Sequence, residues 1–338
     1  MMRLPWFQHH SPRTVEEAAR ILANEGPKAM LVAGGTDLLP NMKRRQQTPA
    51  VLVSLQKVDE LQRIANGSGL RLGAGLTLAA VAAAPKVREG YAGLAQAASQ
   101  VASTHLRNMG TLGGNVCLDT RCSYYNQSYE WRKAIDFCMK RDGETCWVAT
   151  ASKRCLAVSS TDTAPALIAL GARARLVSAG GEREVALAEF YRNDGIDYMA
   201  RRPDEVLAEL LLPALPGWKS TYWKLRRRGS FDFPVLGVAA AAKFAADGTV
   251  EDARLVLGAV SSHPLVIKAD ALVGSPLTDQ AIGAVAEAAQ SRAKPMDNTD
   301  LDLRWRKGVT AEFVRYALRE LRGDDLSAVR RRTAKQGL

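Results

Sequence analysis

Histidine is scarce here: His9, His10, His105 and His263 are scattered, and none has a readable partner. No Ser-His-Asp set and no paired carboxylates can be assembled, so no catalytic residue is assigned to this chain. No apolar run approaches the roughly 18 residues of a membrane helix, which excludes a spanning segment. Met1 to His10 lacks the apolar core of a secretory signal, pointing to a cytoplasmic chain. The glycines form neither G-x-G-x-x-G nor G-x4-G-K-[ST]; Gly73-Ala-Gly75 fails because Leu78 holds the sixth position. Nucleic-acid signatures are also missing. The net charge of +11 gathers partly in Lys43–Arg45, Arg226–Arg228 and Arg330–Arg332, but none of these runs carries regularly interleaved aromatics. Nucleic-acid binding is left as a remote alternative, and a solvated basic surface or an acidic protein partner accounts for the charge.

Outside Cys117–Cys155 the chain has no cysteine; inside it lie Cys117, Cys122, Cys138, Cys146 and Cys155, spaced C-x4-C-x15-C-x7-C-x8-C. Tyr124, Tyr125, Tyr129, Trp131, Phe137 and Trp147 share the window. Thiols among large rings describe a site that binds something soft and excludes water. The spacing matches neither ferredoxin runs nor paired C-x2-C zinc hooks. An odd count leaves one thiol unpaired, and clustered thiols in a cytosolic chain more often bind metal than cross-link. Metal or cluster site, disulfides and inert thiols remain the three readings of the spacing.

With 338 residues the chain has room for two domains. Thr14 and Glu17 read as a capping box starting a helix to about Asn24, before Gly26-Pro27. Strands are expected at Ala29–Ala33, Val51–Leu55 and Leu70–Ala74, and helices through Ala84 and over Leu94–Val101. A helix over Ala164–Leu170, a hairpin around Gly180 and Gly181, and a strand over Glu205–Leu212 follow. Pro213 to Gly217, with two prolines and a glycine, is the strongest boundary. Beyond it, Ser220–Arg226, Gly237–Phe244 and Val250–Val260 read as antiparallel strands, then helices over Asp279–Arg292 and Leu303–Leu321. The polar tail after Arg322 is expected to fray.

The first strand runs straight into Gly34-Gly-Thr-Asp37, and a second glycine loop spans Gly110 to Asn115. Either can be a plain tight turn. Together they can turn backbone amides toward one diphosphate.

The ordered set Val32-Ala-Gly-Gly-Thr-Asp-Leu38, Thr111-Leu-Gly-Gly-Asn115 and Asp162-Thr-Ala-Pro-Ala-Leu167 resembles the FAD-binding medium subunit of the molybdenum hydroxylases, the group of xanthine and carbon monoxide dehydrogenase. Lys224, Asp232-Phe-Pro234 and the helix start at Leu303–Arg306 resemble that subunit's C-terminal domain. The resemblance implies an α+β fold: a two-subdomain FAD module of the PCMH type over 1–215, then a C-terminal domain over 218–338 with a three-stranded antiparallel sheet and a helical bundle. A segment of about 118–158 is inserted between the second and third motifs. This is similar to the β subunit of 4-hydroxybenzoyl-CoA reductase, whose insertion carries a 4Fe–4S cluster, and Asp119–Ser128 matches that branch.

By this resemblance Cys122, Cys138, Cys146 and Cys155 are the cluster ligands and Cys117 is a packed thiol. The FAD contacts implied are Val32, Ala33, Gly34, Gly35, Thr36, Asp37, Leu38, Asn108, Thr111, Gly114, Asn115, Asp162 and Lys224. The amides of Ala33 to Thr36 would take the diphosphate, and Thr111, Gly114 and Asn115 the diphosphate and ribityl groups. Asp162 would hold a ribose or ribityl hydroxyl, or simply cap its helix. Lys224 would set charge near the ring, or be a surface lysine, and Asp232 and Pro234 would shape the adjoining loop. Arg121, Lys153 and Arg154 would tune the cluster. Implied partners are a large molybdopterin subunit and a small 2Fe–2S subunit, as a dimer of heterotrimers, with ferredoxin donating electrons for reductive dehydroxylation of 4-hydroxybenzoyl-CoA. A second reading is a conventional xanthine, aldehyde or CO dehydrogenase type subunit whose cysteines hold a structural zinc.

Overall fold

The structure, a computed structural model, describes residues 3–335. Three sheets organise it. In the first, β1 (Gln8–His10), β2 (Ala29–Val32) and β3 (Val51–Ser54) run parallel in the order β1-β3-β2. Parallel neighbours need crossovers, supplied by α1 (Val15–Glu25) and by a connection containing α2 (Leu38–Lys43). Val15, Ala18, Ala19 and Leu22 bury one face of α1 against Val51 and Val53. Thr14 Oγ1 accepts the Glu17 amide at 3.1 Å, while the Glu17 carboxylate accepts from Arg13 N rather than Thr14 N. The sequence reading missed β1 because Gln-His-His has no apolar alternation.

The second sheet is antiparallel: β4 (Ile64–Asn66), β5 (Gly69–Gly73), β6 (Arg173–Ser178), β7 (Gly181–Ala186) and β8 (Val206–Pro213), in the order β4-β5-β8-β6-β7. Between β5 and β6 come α3 (Leu78–Ala83), α4 (Pro85–Gly90), α5 (Ala92–Ser99), α6 (Thr104–Arg107), α7 (Leu112–Val116), α8 (Tyr129–Ala134) and α9 (Thr163–Ala169). Leu70, Leu72, Ala174, Leu176, Leu210 and Leu212 pack with Leu94, Ala97 and Leu167.

The third sheet has β9 (Trp218–Leu225), β10 (Leu236–Phe244), β11 (Val250–Gly258) and β12 (Leu265–Ile267), in the order β12-β11-β10-β9. It therefore has four strands and not the expected three; β12 is only three residues long, too short for a readable period. α10 (Asp279–Arg292) and α11 (Leu303–Arg322) cover one side. Alternation along β10 explains its run of small apolar residues. Val238, Ala240 and Ala242 face α10 and α11, while Ala239 and Ala241 join the core containing α5 and α9. A strand buried on both faces reads as a continuous apolar run.

The tail corrects a second expectation. Ser327–Lys335 forms α12, and Arg330 ties it down by pairing with Glu320, donating to the Tyr222 carbonyl at 3.2 Å and stacking over Trp223 at 4.1 Å. The final residues 336–338 of the tail expected to fray lie outside the described set.

Candidate functional site

The two glycine loops meet. A Cβ on Gly34 would collide with the Met109 carbonyl, and one on Gly110 would sit 3.3 Å from Thr36 Oγ1. Val32 ends its strand by accepting from Leu55 N at 2.9 Å, and Leu38 opens α2. Between them Gly35 takes φ +69°, the sign change that turns successive amides toward one side. Among the described residues, the amides of Ala33, Gly34, Gly35 and Thr36 donate to no protein acceptor, and all four residues are half-buried. An arc of free amides at a strand end fits a diphosphate.

The second loop is committed differently. Thr111 Oγ1 accepts the Gly114 amide at 3.1 Å, and Asn115 Oδ1 accepts from Thr161 Oγ1 (2.9 Å), Thr163 N (3.1 Å) and Thr163 Oγ1 (2.7 Å). Asn115 thus fastens the loop to the start of α9. Asn108 stays exposed beside Met109. This loop buttresses the first more than it offers donors.

Asp162 is not a side-chain cap; Thr161 caps α9 instead, accepting from Ala164 N at 3.2 Å. The Asp162 carboxylate accepts from Lys224 Nζ at 2.9 Å and Tyr222 Oη at 2.8 Å, all three groups being buried. Burial pushes the Asp162 carboxyl up and the Lys224 amine down, each partly opposed by the other. The surface-lysine reading therefore fails: Lys224 is wholly buried and also donates to the Gln100 carbonyl at 3.0 Å. Tyr222 escaped the sequence reading, although it precedes Lys224 by two on β9 and so shares its face. Asp232 caps its own loop, accepting from Arg228 N at 2.7 Å.

Cys122, Cys138, Cys146 and Cys155 are all buried. Cys122, Cys138 and Cys155 pack with Tyr125 and Ala157. Burial pushes the Cys122 thiol up to about 12 and Cys155 to about 11, with neighbouring cysteines adding to both shifts. Cys117 stands apart at the end of α7, near Tyr191 and Arg201. Among the described residues no three His, Cys, Asp or Glu side chains group as ligands of one metal ion. Of the three basic residues expected to tune the cluster, Arg121 pairs with Asp37, Arg154 bonds Asn193 and Lys153 is exposed. The cation whose charge reaches Cys155 is Lys140, buried against Asp119 (2.8 Å), Thr120 Oγ1 (2.8 Å) and the Gly195 carbonyl (2.7 Å).

Seven buried side-chain polar atoms make no hydrogen bond among the described residues, and six belong to the insertion or to residues bonded to it: Gln46 Oε1, Arg121 Nε, Arg132 Nε and Nη1, Arg141 Nε and Asn298 Oδ1; of these, Arg141 Nε lies 3.2 Å and Arg132 Nη1 3.8 Å from the Asp142 carboxylate. Orphaned buried groups mark water or an absent bound group. Four are arginine donors, and each of the three arginines is already paired with a carboxylate, Arg121 with Asp37 and Arg132 and Arg141 with Asp142.

Residues 5–215 match the family described as FAD binding domain in molybdopterin dehydrogenase, and residues 220–321 match the CO dehydrogenase flavoprotein C-terminal domain. The chain belongs to the FAD-binding medium subunits of the molybdenum hydroxylases. It is 33% identical to the aldehyde oxidoreductase FAD-binding subunit PaoB of Escherichia coli (strain K12), over 78% of this chain and 84% of that protein. It is 28% identical to the nicotinate dehydrogenase FAD-subunit of Eubacterium barkeri, over 80% and 81% of the two chains. Among solved structures, carbon monoxide dehydrogenase of Hydrogenophaga pseudoflava matches with a TM-score of 0.76 at 27% identity, covering 94% of this chain and 97% of that one. This molybdenum-hydroxylase subunit has the mixed α/β fold of its relatives, and FAD is the cofactor its family binds. The free amide arc and the glycines where a Cβ would intrude fit that cofactor. Among the described residues no helix is long and apolar enough to cross a membrane.

Proposed function

We propose that this chain is the electron-relay subunit of an aldehyde-oxidoreductase-type molybdenum hydroxylase, holding FAD at the paired glycine loops and a 4Fe–4S cluster on Cys122, Cys138, Cys146 and Cys155. The carrying observation is the arc of four free amides, Ala33 to Thr36, beside an insertion that buries four thiols. The PaoB relative, named as an aldehyde oxidoreductase subunit, supports the aldehyde class. Relatives named as medium chains or subunits support larger and smaller partner chains; in this reading they are a large molybdopterin subunit that carries the substrate pocket and a small 2Fe–2S subunit, assembled as a dimer of heterotrimers.

Bound FAD supplies exchange between one- and two-electron transfer, and an iron–sulfur centre supplies one-electron steps. In this chain the Ala33–Thr36 amides hold the diphosphate, with Thr36 Oγ1 as a further donor. Thr111, Gly114 and Asn115 keep the second loop against the first. Asp162 and Lys224 hold each other as a buried charge pair of no net charge, with Tyr222 on the same carboxylate. Lys140 offsets thiolate charge beside Cys155.

A second reading is the β subunit of a 4-hydroxybenzoyl-CoA reductase fed by ferredoxin, favoured by the inserted segment and its Asp119–Ser128 stretch. The PaoB likeness favours the first. Structural zinc on the same four thiols is the other metal reading. Metal, labile-sulfide and flavin analysis of the purified chain decides: about four irons with sulfide and one FAD support the cluster, while zinc without sulfide sinks it. Assay of the assembled enzyme with an aromatic aldehyde and with 4-hydroxybenzoyl-CoA separates the two substrate classes.

A further inference from the structure

We propose that Arg121 is a positioning residue through which the thiol insertion controls the hold of the flavin loop, so that emptying the four-cysteine site loosens FAD. The inference rests on the reading above, and it goes beyond it by giving the insertion a second role besides carrying electrons. Arg121 stands at the insertion's base, next to Cys122, where it exchanges both backbone hydrogen bonds with Val158 at 2.8 and 2.7 Å. Its guanidinium reaches beyond the insertion while keeping one bond, to Asn126, within it. It pairs with Asp37, donates to Asn41 Oδ1 at 3.1 Å and Asn126 Oδ1 at 3.3 Å, and lies 5.2 Å over the Phe233 ring. One buried side chain thus joins the insertion, the glycine loop with α2, and the C-terminal domain.

Asp37 directly follows the free amides. Its carboxylate makes no cap on α2; it accepts from Arg121 and from Asn41 Nδ2 at 2.9 Å. Released by Arg121, that carboxylate would put negative charge beside the amides that must meet an anionic diphosphate. Arg121 prevents this, holding Asp37 aside and neutralising it. The platform under Arg121 in turn depends on the cysteines, because the insertion's apolar cluster is only Cys122, Tyr125, Cys138, Cys155 and Ala157 with partly buried neighbours. So small a core relies on ligation for its fold, as small metal-bound units do. Binding linkage makes the effect reciprocal, so bound FAD tightens the hold on the cluster by the same factor.

The test is FAD affinity, read by quenching of flavin fluorescence in the full-length chain, with iron bound and after removal by a chelator. Iron removal is expected to weaken FAD at least about five-fold in the native sequence. In Arg121→Met, FAD is weak from the start and iron removal changes it less than about two-fold, within the experimental noise of a cycle. Adding Asp37→Asn to Arg121→Met recovers affinity, an outcome that a purely structural role for Arg121 would not give. If Arg121→Met fails to fold, Arg121→Gln serves in its place with the same two expectations, weak FAD from the start and little further change on iron removal. An unchanged FAD affinity on iron removal from the native chain, or a double variant no better than Arg121→Met, overturns the inference alone. Purified native chain without iron and sulfide removes both the cluster reading and the inference.

Discussion

The two glycine loops look alike in sequence and do different work. Gly34–Asp37 leaves its amides without protein acceptors and sends its one charged side chain to Arg121. Gly110–Asn115 uses the Gly114 amide and the Asn115 side chain to fix itself to its own threonine and to α9. Glycine content signals close backbone approach, but it does not say whether a ligand or another strand is approaching. The accounting of amides does.

That contrast can be broken in order of effect. Asn115→Ala strands three buried donors at once and should cost at least about 3 kcal/mol in chemical denaturation, with FAD lost only as the fold is lost. Gly34→Ala drives a methyl into the Met109 backbone where the loops touch, and should cost about 1–3 kcal/mol while abolishing FAD retention on gel filtration. Thr36→Val should leave the melting temperature unchanged and weaken FAD by a few-fold, about 1 kcal/mol for one hydrogen bond, as measured by flavin titration. If Asn115→Ala weakens FAD without lowering stability, the buttress assignment is wrong.

The smallest effect is a control remote from both loops. Burial alone would raise the Glu320 carboxyl, but Arg330, Thr221 and Trp223 bond it and hold it below its ordinary 4.5. A depressed carboxylate contributes stability above its unfolded value that is lost as pH falls through the lower folded value. Acid titration below pH of about 4 should therefore undock α12 first. Trp223 fluorescence reports it, because its Nε1 donates to Glu320 at 2.9 Å.

Local pattern carried most of the fold. Asp279–Arg292 has the bounds its periodicity gives, and the run of small residues in β10 marks a strand buried on both faces. Gln8–His10 and Leu265–Ile267 were invisible because a three-residue strand has no period, and α12 because its docking rests on Arg330 meeting Glu320 and Trp223. At the site, the glycines and thiols were legible as residue types. Their partners were not, since Arg121 meets Asp37 across 84 positions and Asp162 meets Tyr222 across 60.

The paired backbone of Arg121 and Val158 has one more consequence. Chain entering the insertion and chain leaving it lie side by side on a two-bond handle, while the stretch between them is also fastened to Gln46, Asn193, Gly195 and Asn298 outside it. A short turn can rejoin the ends when it is cut out, and a cluster-free version of this subunit should still close its sheets once the buried Gln46 and Asn298 side chains, which bond the insertion's carbonyls, are replaced. The same handle would let the insertion be grafted onto a relative that never possessed one.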